Sequence, residues 1–251
     1  MLYQLPLGLG ATLTFISVPA LVRGAPIGAR QREWCMTSAM EKKTVWGVGT
    51  PRTLRAHWCM HELDLGYERR PIGSRDGGNL TPEYTRLNPS QKIPTLQDGG
   101  LVVSESAAIV NYVTTRYGAG KDMQPPADPA ERARYDMWCF FCMMELDADT
   151  LYVIRRHADL HSIYGDAPNA VEAAKECFVH QAAAATVRLG SGPYVMGTRF
   201  TGADILLTTC LTGAKRREIP LPEPLNRYLE LTTSREPYRQ ALQANQPPVS
   251  P

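Results

Sequence analysis

The sequence predicts an α/β unit followed by an all-helical unit, and three observations predict it. Residues 44 to 117 alternate short β-rich runs with amphipathic helical runs in the order βαβαββα. A Gly- and Pro-rich stretch follows, and beyond it no strand-like alternation recurs, only helical spacing. Within that second half, Phe-Thr-Gly-Ala-Asp-Ile at 200–205 is a helix start: Thr201 is the N-cap, Asp204 reciprocates from the third helical position, and Phe200 and Ile205 form a hydrophobic staple.

The elements follow in order. Thr44 to Val48 is a short β-rich run, and Gly49-Thr50-Pro51 turns into a helix whose apolar side carries Leu54, Ala56, Trp58, Leu63 and Leu65. Gly66-Tyr67 ends that helix, and Tyr67 to Ile72 supplies a second strand, completing a βαβ unit. A second helix fits Thr81 to Leu87. Lys92 to Leu96 and Leu101 to Ser104 pair as a hairpin over Asp98-Gly99-Gly100, and a helix runs from Glu105 to about Tyr117. Helical spacing over 130–158 and 168–189 brackets the turn chemistry of His-Ser-Ile-Tyr-Gly-Asp-Ala-Pro-Asn. The division is therefore an extension at 1–43, a first domain at 44–118, a linker at 119–127, an all-helical domain at 128–245 and a tail at 246–251.

Composition bounds the function. The 251 residues are 43% hydrophobic and 21% charged, with 27 Lys and Arg against 25 Asp and Glu. The net charge of +2 gives no field that draws nucleic acid or a membrane surface. The cysteines at 35, 59, 139, 142, 177 and 210 sit mostly in helical, apolar surroundings, which favours free thiols in a reducing, cytoplasmic setting. Residues 1–22 are mostly apolar and uncharged, but they lack the basic start of a secretory signal, and four Gly or Pro residues break the length a spanning helix needs. Two readings of 1–43 stand: an organellar presequence, since the stretch to Arg32 bears Arg and no acid, or a segment outside the working protein, with Met36 or Met40 as the true beginning. Cys139 and Cys142 lie inside a helix pattern, which reads as packing rather than a redox pair. His57 and His61, and likewise His157 and His161, have the spacing of zinc ligands but no third ligand in view. They read as solvated or capped histidines, and no metal is expected.

Taken together, the βαβαββα order, Lys92-Ile93-Pro94, Ser104-Glu105-Ser106, the Pro-rich linker, the helical half and the 200–205 capping box resemble the soluble glutathione S-transferases over about residues 44 to 245. The resemblance implies a thioredoxin-like first domain that binds glutathione, as substrate, and a helical domain that completes a pocket for an apolar small-molecule electrophile. It implies a homodimer, whose surface would include the third and fourth strands and the helix at 105–117. It further implies glutathione transfer, or reductase or peroxidase activity on the same bound thiol; a non-catalytic binding module of the same fold is the alternative.

The resemblance also assigns residues. Ile93-Pro94 would be a cis peptide that turns the Ile93 backbone toward the cysteinyl part of glutathione, as an added strand does; a trans proline at a strand edge is the other reading. The helix start at Glu105 and Ser106 suits the γ-glutamyl carboxylate, with Glu105 facing the ammonium and Lys92 the glycyl carboxylate. Taken alone, Ser104 and Glu105 would merely cap a helix. A hydroxyl near the end of the first strand holds the sulfur as thiolate in this superfamily, and Thr50 stands at that place, Thr53 in reserve, with Arg52 beside them to steer the anionic tripeptide. Thr50-Pro51 also fits a simple N-cap and first helical position. Tyrosine is absent there and residues 47–55 hold no cysteine, so the likeness is to bacterial and fungal relatives that use threonine or serine. For the second substrate, Trp138, Phe141 and Met144 are the apolar candidates on the first long helix.

Overall fold

The computed structural model describes residues 42–248, so residues 1–41 of the expected extension and 249–251 of the expected tail lie outside them. Strands β1 (Lys43–Trp46), β2 (Glu68–Arg70), β3 (Thr95–Asp98) and β4 (Leu101–Ser104) form one sheet in the order β2-β1-β3-β4. β1 runs parallel to β2 and antiparallel to β3, and β3 pairs antiparallel with β4 across the turn at Gly99 and Gly100. The ends of β1 and β4 and the start of β3 therefore lie at one edge of the sheet.

Successive strand residues face opposite sides. Val45 joins Leu54, Trp58, Ile109 and Val113 on one face, against helices α1 (Pro51–Glu62) and α3 (Ser106–Tyr117). Trp46 turns the other way, to Tyr84 and Ile93, under α2 (Pro82–Leu87). Gly47 closes β1 at φ +110°, and a Cβ there would lie 2.6 Å from the Cβ of Ile93, so only glycine fits between β1 and the chain entering β3.

The second half is helical, and the main core runs into it without a break. α4 (Pro129–Phe141) continues through the π-helical segment Cys142–Leu151, the α turn Tyr152–Ile154 and a second π-helical segment, Arg155–Asp159. Helices α5 (His161–Tyr164), α6 (Pro168–Leu189), α7 (Gly202–Lys215), α8 (Glu223–Thr233) and α9 (Glu236–Ala244) follow. Trp58 of α1 is fully buried between Phe200 (5.6 Å between centroids) and Tyr238 of α9 (4.8 Å), which seals the sheet-bearing half to the helical half. The capping box forms as its sequence predicts: Asp204 accepts from the Thr201 N–H at 2.7 Å, the Thr201 hydroxyl at 2.9 Å, the Val195 N–H at 2.9 Å and the Tyr228 hydroxyl at 2.9 Å. Burial pushes its carboxyl up to about 6, and those four donors hold it down against that.

Several expected boundaries shift for local reasons. β2 is limited to Glu68–Arg70, because Ile72 already donates its N–H back to Arg70 O and turns the chain. β3 starts at Thr95 rather than Lys92, because the Lys92 carbonyl is held by the Tyr84 hydroxyl at 2.6 Å and the Asn88 amide at 2.8 Å. The α4 region is helical where expected, but its π-helical pitch is not visible in residue spacing; Tyr152 N–H donates to Asp147 O, five residues back. His57 is not solvated: it is fully buried, and burial lowers its pKa to about 4. Its Nε2 faces the Gly47 carbonyl at 3.0 Å and so carries the proton, leaving Nδ1 to accept from Tyr67 at 2.8 Å.

Candidate active site

A cleft of about 610 Å³ opens at the sheet edge where β1 and β4 end and β3 begins, closed on its far side by the continuation of α4. Its walls include Thr50, Lys92, Ile93, Pro94, Glu105 and Ser106, together with Arg52 and Met144. The sequence-predicted glutathione residues thus converge on one cavity from three separate segments.

Thr50 caps a helix and also lines the cleft. Its Oγ1 accepts from the Thr53 N–H at 3.0 Å, capping α1 beside Pro51, and its side chain also reaches the cleft. Thr53 does not: it is fully buried, lies outside the cleft wall, and spends its hydroxyl inward, 2.6 Å from Asn245 Oδ1. Its oxygen accepts the Thr50 N–H at 3.0 Å and stands 3.0 Å from Thr50 Oγ1. Asn245, one residue beyond α9, also donates to Thr50 O at 3.1 Å, while its own backbone carbonyl takes the Gly49 N–H at 2.8 Å. The turn bearing Thr50 is therefore held by Thr53 from within and by the chain's last helix from outside.

At the end of β4, Glu105 is the N-cap of α3 with φ 66° and ψ 115°, and its side chain makes no capping bond. A non-glycine residue held there costs about 1 to 3 kcal/mol, and the bend aims the first turn of α3 at the cleft. Ser106 is buried, and its Oγ accepts from Arg55 Nη1 at 3.1 Å, which leaves the hydroxyl proton available to a ligand. Arg55 itself is 1% exposed. Its Nε donates to Thr209 Oγ1 at 2.8 Å and its Nη2 to Asp147 Oδ2 at 2.8 Å, so one side chain ties α1, α3, α4 and α7 together. Burial, the largest single effect, opposes its charge, but Asp147 together with the Cys210 and Cys142 sulfurs outweighs it and the pKa is raised.

Among the other site residues, Ile93-Pro94 is cis, and no backbone hydrogen bond engages Ile93 among the described residues. Lys92 is exposed at the rim. Arg52 reaches the cleft but is drawn toward its far wall, paired with Asp147 Oδ1 and lying 4.6 Å over the Tyr152 ring. Of the three candidates for the second substrate, Met144 lines the cleft, whereas Trp138 and Phe141 are buried in the core, their rings edge-on to each other at 5.9 Å. Met143, Ala148 and Tyr152 take their place on the wall. Cys59, Cys139 and Cys142 are buried, and burial pushes each thiol up, the opposite of what a sulfur nucleophile requires. Among the described residues, no group of three or more His, Cys, Asp and Glu could hold a metal ion.

Residues 41–115 match the family model for the glutathione S-transferase N-terminal domain. The structure aligns with the theta class glutathione S-transferase from the citrus canker pathogen Xanthomonas axonopodis pv. citri, solved with glutathione bound, at a TM-score of 0.67 and 30% identity, over 81% of this chain and 98% of that one. The chain belongs to the glutathione S-transferase family. Glutathione S-transferase D7 of Drosophila melanogaster is 40% identical over 91 residues, which span 36% of this chain and 41% of that relative. A glutathione S-transferase-like protein of Aspergillus terreus is 26% identical, over 82% of this chain and 96% of that protein.

Within this family fold, sequence reasoning missed Arg55, Asp147 and Asn245. Arg55 carried a faint signal, an ion between Leu54 and Ala56 on a helix with an apolar side, whereas Asp147 stands between Glu145 and Asp149 and nothing in the sequence sets it apart. Asn245 carried none. It is 195 residues from Thr50 and stands at the end of the expected helical domain.

Proposed function

We propose that this glutathione S-transferase chain binds glutathione in the cleft and activates it for attack on an apolar electrophile. The γ-glutamyl end meets Glu105 and Ser106, the cysteinyl backbone lies against Ile93, and the glycyl carboxylate faces Lys92. Thr50 donates its hydroxyl to the sulfur. The thiol proton leaves to solvent, and the sulfur lone pair then forms the new bond to carbon, while the pair of the bond broken there departs with the leaving group or, in an unsaturated ketone, moves to the carbonyl oxygen and is protonated from solvent. A single observation carries the reading: a hydroxyl, an unengaged backbone residue beside a cis proline, and a helix N-terminus with a free hydroxyl all open into one cavity. Residues 44–118 are read as the glutathione-binding domain and 128–245 as the domain that supplies the second wall.

Calorimetric titration with glutathione and a conjugation assay with 1-chloro-2,4-dinitrobenzene test this directly. Binding with turnover is expected. Binding without turnover makes the chain a binding module, and no binding overturns the assignment. Ser106→Ala removes the γ-glutamyl contact: losing one charge-assisted hydrogen bond costs about 1.5 to 3 kcal/mol, so the dissociation constant rises about ten- to hundredfold, and the loss of the acceptor of Arg55 Nη1 lowers the melting temperature as a separate effect. An unchanged constant removes Ser106 from the site.

The working unit is proposed to be a homodimer. Leu101 and Val102 of β4 and Met137 of α4 are exposed, and Phe140, one turn further, is 68% exposed, an apolar surface of the kind that marks a protein contact. Light scattering should give a dimer for the native chain and half that mass for Val102→Glu/Phe140→Glu, with circular dichroism preserved because both side chains lie outside the core. A monomeric native chain excludes the arrangement. Among the described residues no helix is long and apolar enough to cross a membrane, and the compartment proposed is the cytoplasm.

A further inference from the structure

The far wall of the cleft carries apolar side chains and one guanidinium without a partner. Met144, Ala148, Tyr152 and Arg155 follow at intervals of four, four and three residues along the continuation of α4, and all four line the cavity. Among the described residues, the Arg155 guanidinium makes no hydrogen bond or ion pair, although it is only partly exposed. The acid nearest to it in sequence, Asp159, is paired with Arg217. Burial lowers the Arg155 pKa, and repulsion from Arg75, Arg52 and Arg217 lowers it further. Arg75, from the loop after β2, lines the same cleft, and its only partner is the Ser74 hydroxyl at 3.4 Å.

Charge counting shows what is left over. The cleft holds five cationic side chains, Arg52, Arg55, Arg75, Lys92 and Arg155, against two carboxylates, Glu105 and Asp147. Asp147 is already taken by Arg52 and Arg55. Glutathione as thiolate adds two carboxylates, one ammonium and one sulfur anion. One positive charge stays uncompensated; Arg155 and Arg75 are the two cleft arginines that no carboxylate claims, and Arg155 has no hydrogen-bond partner among the described residues. Holding an unpaired guanidinium beside other arginines in a partly desolvated wall opposes folding, and an incoming anion relieves it.

We infer that the second substrate, on the reading of the cleft given above, is an electrophile with an apolar body and a carboxylate-class acidic group. The body lies along Met144, Ala148 and Tyr152, and the acid meets Arg155 with Arg75 near it. Arg155 sets this specificity; the thiolate is made elsewhere, at Thr50.

Two matched pairs test the inference on the full chain. Conjugation of 4-phenylbut-3-en-2-one is compared with that of its ring-para-carboxylate. Binding of S-benzylglutathione is compared with that of S-(4-carboxybenzyl)glutathione by calorimetry, which needs no turnover. One charge-assisted contact at a partly exposed site gives about a tenfold preference for the acidic member. Arg155→Gln brings the ratio within pairs toward one, and Arg155→Lys keeps part of it. Equal kcat/KM and equal affinity within both pairs for the native chain, or a ratio unmoved by Arg155→Gln, overturn the inference while leaving glutathione activation intact. An acid preference in binding with no conjugation of either ketone supports it and removes the transferase reading instead. If neither conjugate binds, the cleft is misassigned and both readings fall.

Discussion

Asp147→Ala is expected to cost the fold about 3 to 5 kcal/mol, the loss that follows when one partner of a buried ion pair is removed. Arg55 is 1% exposed, and its remaining partners, the Thr209 and Ser106 hydroxyls and the Met143 and Cys210 sulfurs, carry no charge to balance it. Arg52 loses the same counterion. The guanidinium of Arg55 cannot escape by losing its proton, so the folded state must carry it unpaired or admit water. Urea denaturation at a fixed protein concentration measures the loss, and an unchanged slope assigns it to stability. Arg55→Met/Asp147→Leu, which removes both charges, should recover most of it, because an apolar pair of similar volume can replace a buried ion pair at little net cost. A loss under 1 kcal/mol for Asp147→Ala would mean that Arg55 finds another counterion or reaches solvent.

Thr50→Val is expected to raise the pKa of bound glutathione by about one to two units, since a hydrogen bond to a charged group contributes about 1.5 to 3 kcal/mol and each pKa unit is 1.36 kcal/mol. The thiolate fraction at neutral pH, and conjugation with it, then falls about ten- to hundredfold. The deficit narrows as pH rises, because the thiol ionises without help once the pH passes its raised pKa. The same substitution removes the acceptor that caps Thr53 N–H, with a stability cost of about 1 kcal/mol. The two effects are read separately, the first from ultraviolet thiolate absorbance against pH and the second from the melting temperature. Thr50→Ser retains both functions. A lowered melting temperature with an unmoved titration reduces Thr50 to a helix cap. A shift produced by Thr53→Val alone gives its role to Thr53, acting through the turn it braces.

The legible part of the site was the part whose residues act close to where they stand in the chain. Thr50-Pro51 reads as a helix start because capping uses neighbours; Glu105 and Ser106 read as the next helix start; and Thr201 with Asp204 declares a third. The helical face was less legible. Trp138, Phe141 and Met144 share apolar character and near-helical spacing, but two of them enter the core and one faces the cleft. Periodicity says that a helix has a side, not which of two apolar environments that side meets. His57 was misplaced for a similar reason: its partners, the Gly47 carbonyl and Tyr67 hydroxyl, come from the strand before its helix and the turn after it.

The sequence by itself determined the order of elements and the helix caps, because each is set by contacts within a few residues or by a motif of fixed spacing. Tertiary structure alone decided that Asp147 neutralises Arg55 from 92 residues away, that Asn245 braces Thr50 from 195 residues away, that Thr53 turns inward, and that Arg155 stands unpaired on the far wall. Those outcomes depend on which charges the packed chain brings within a few ångströms and which it shields from water. Coulomb and hydrogen-bond energies depend on distance in space and on local dielectric, and separation along the chain specifies neither.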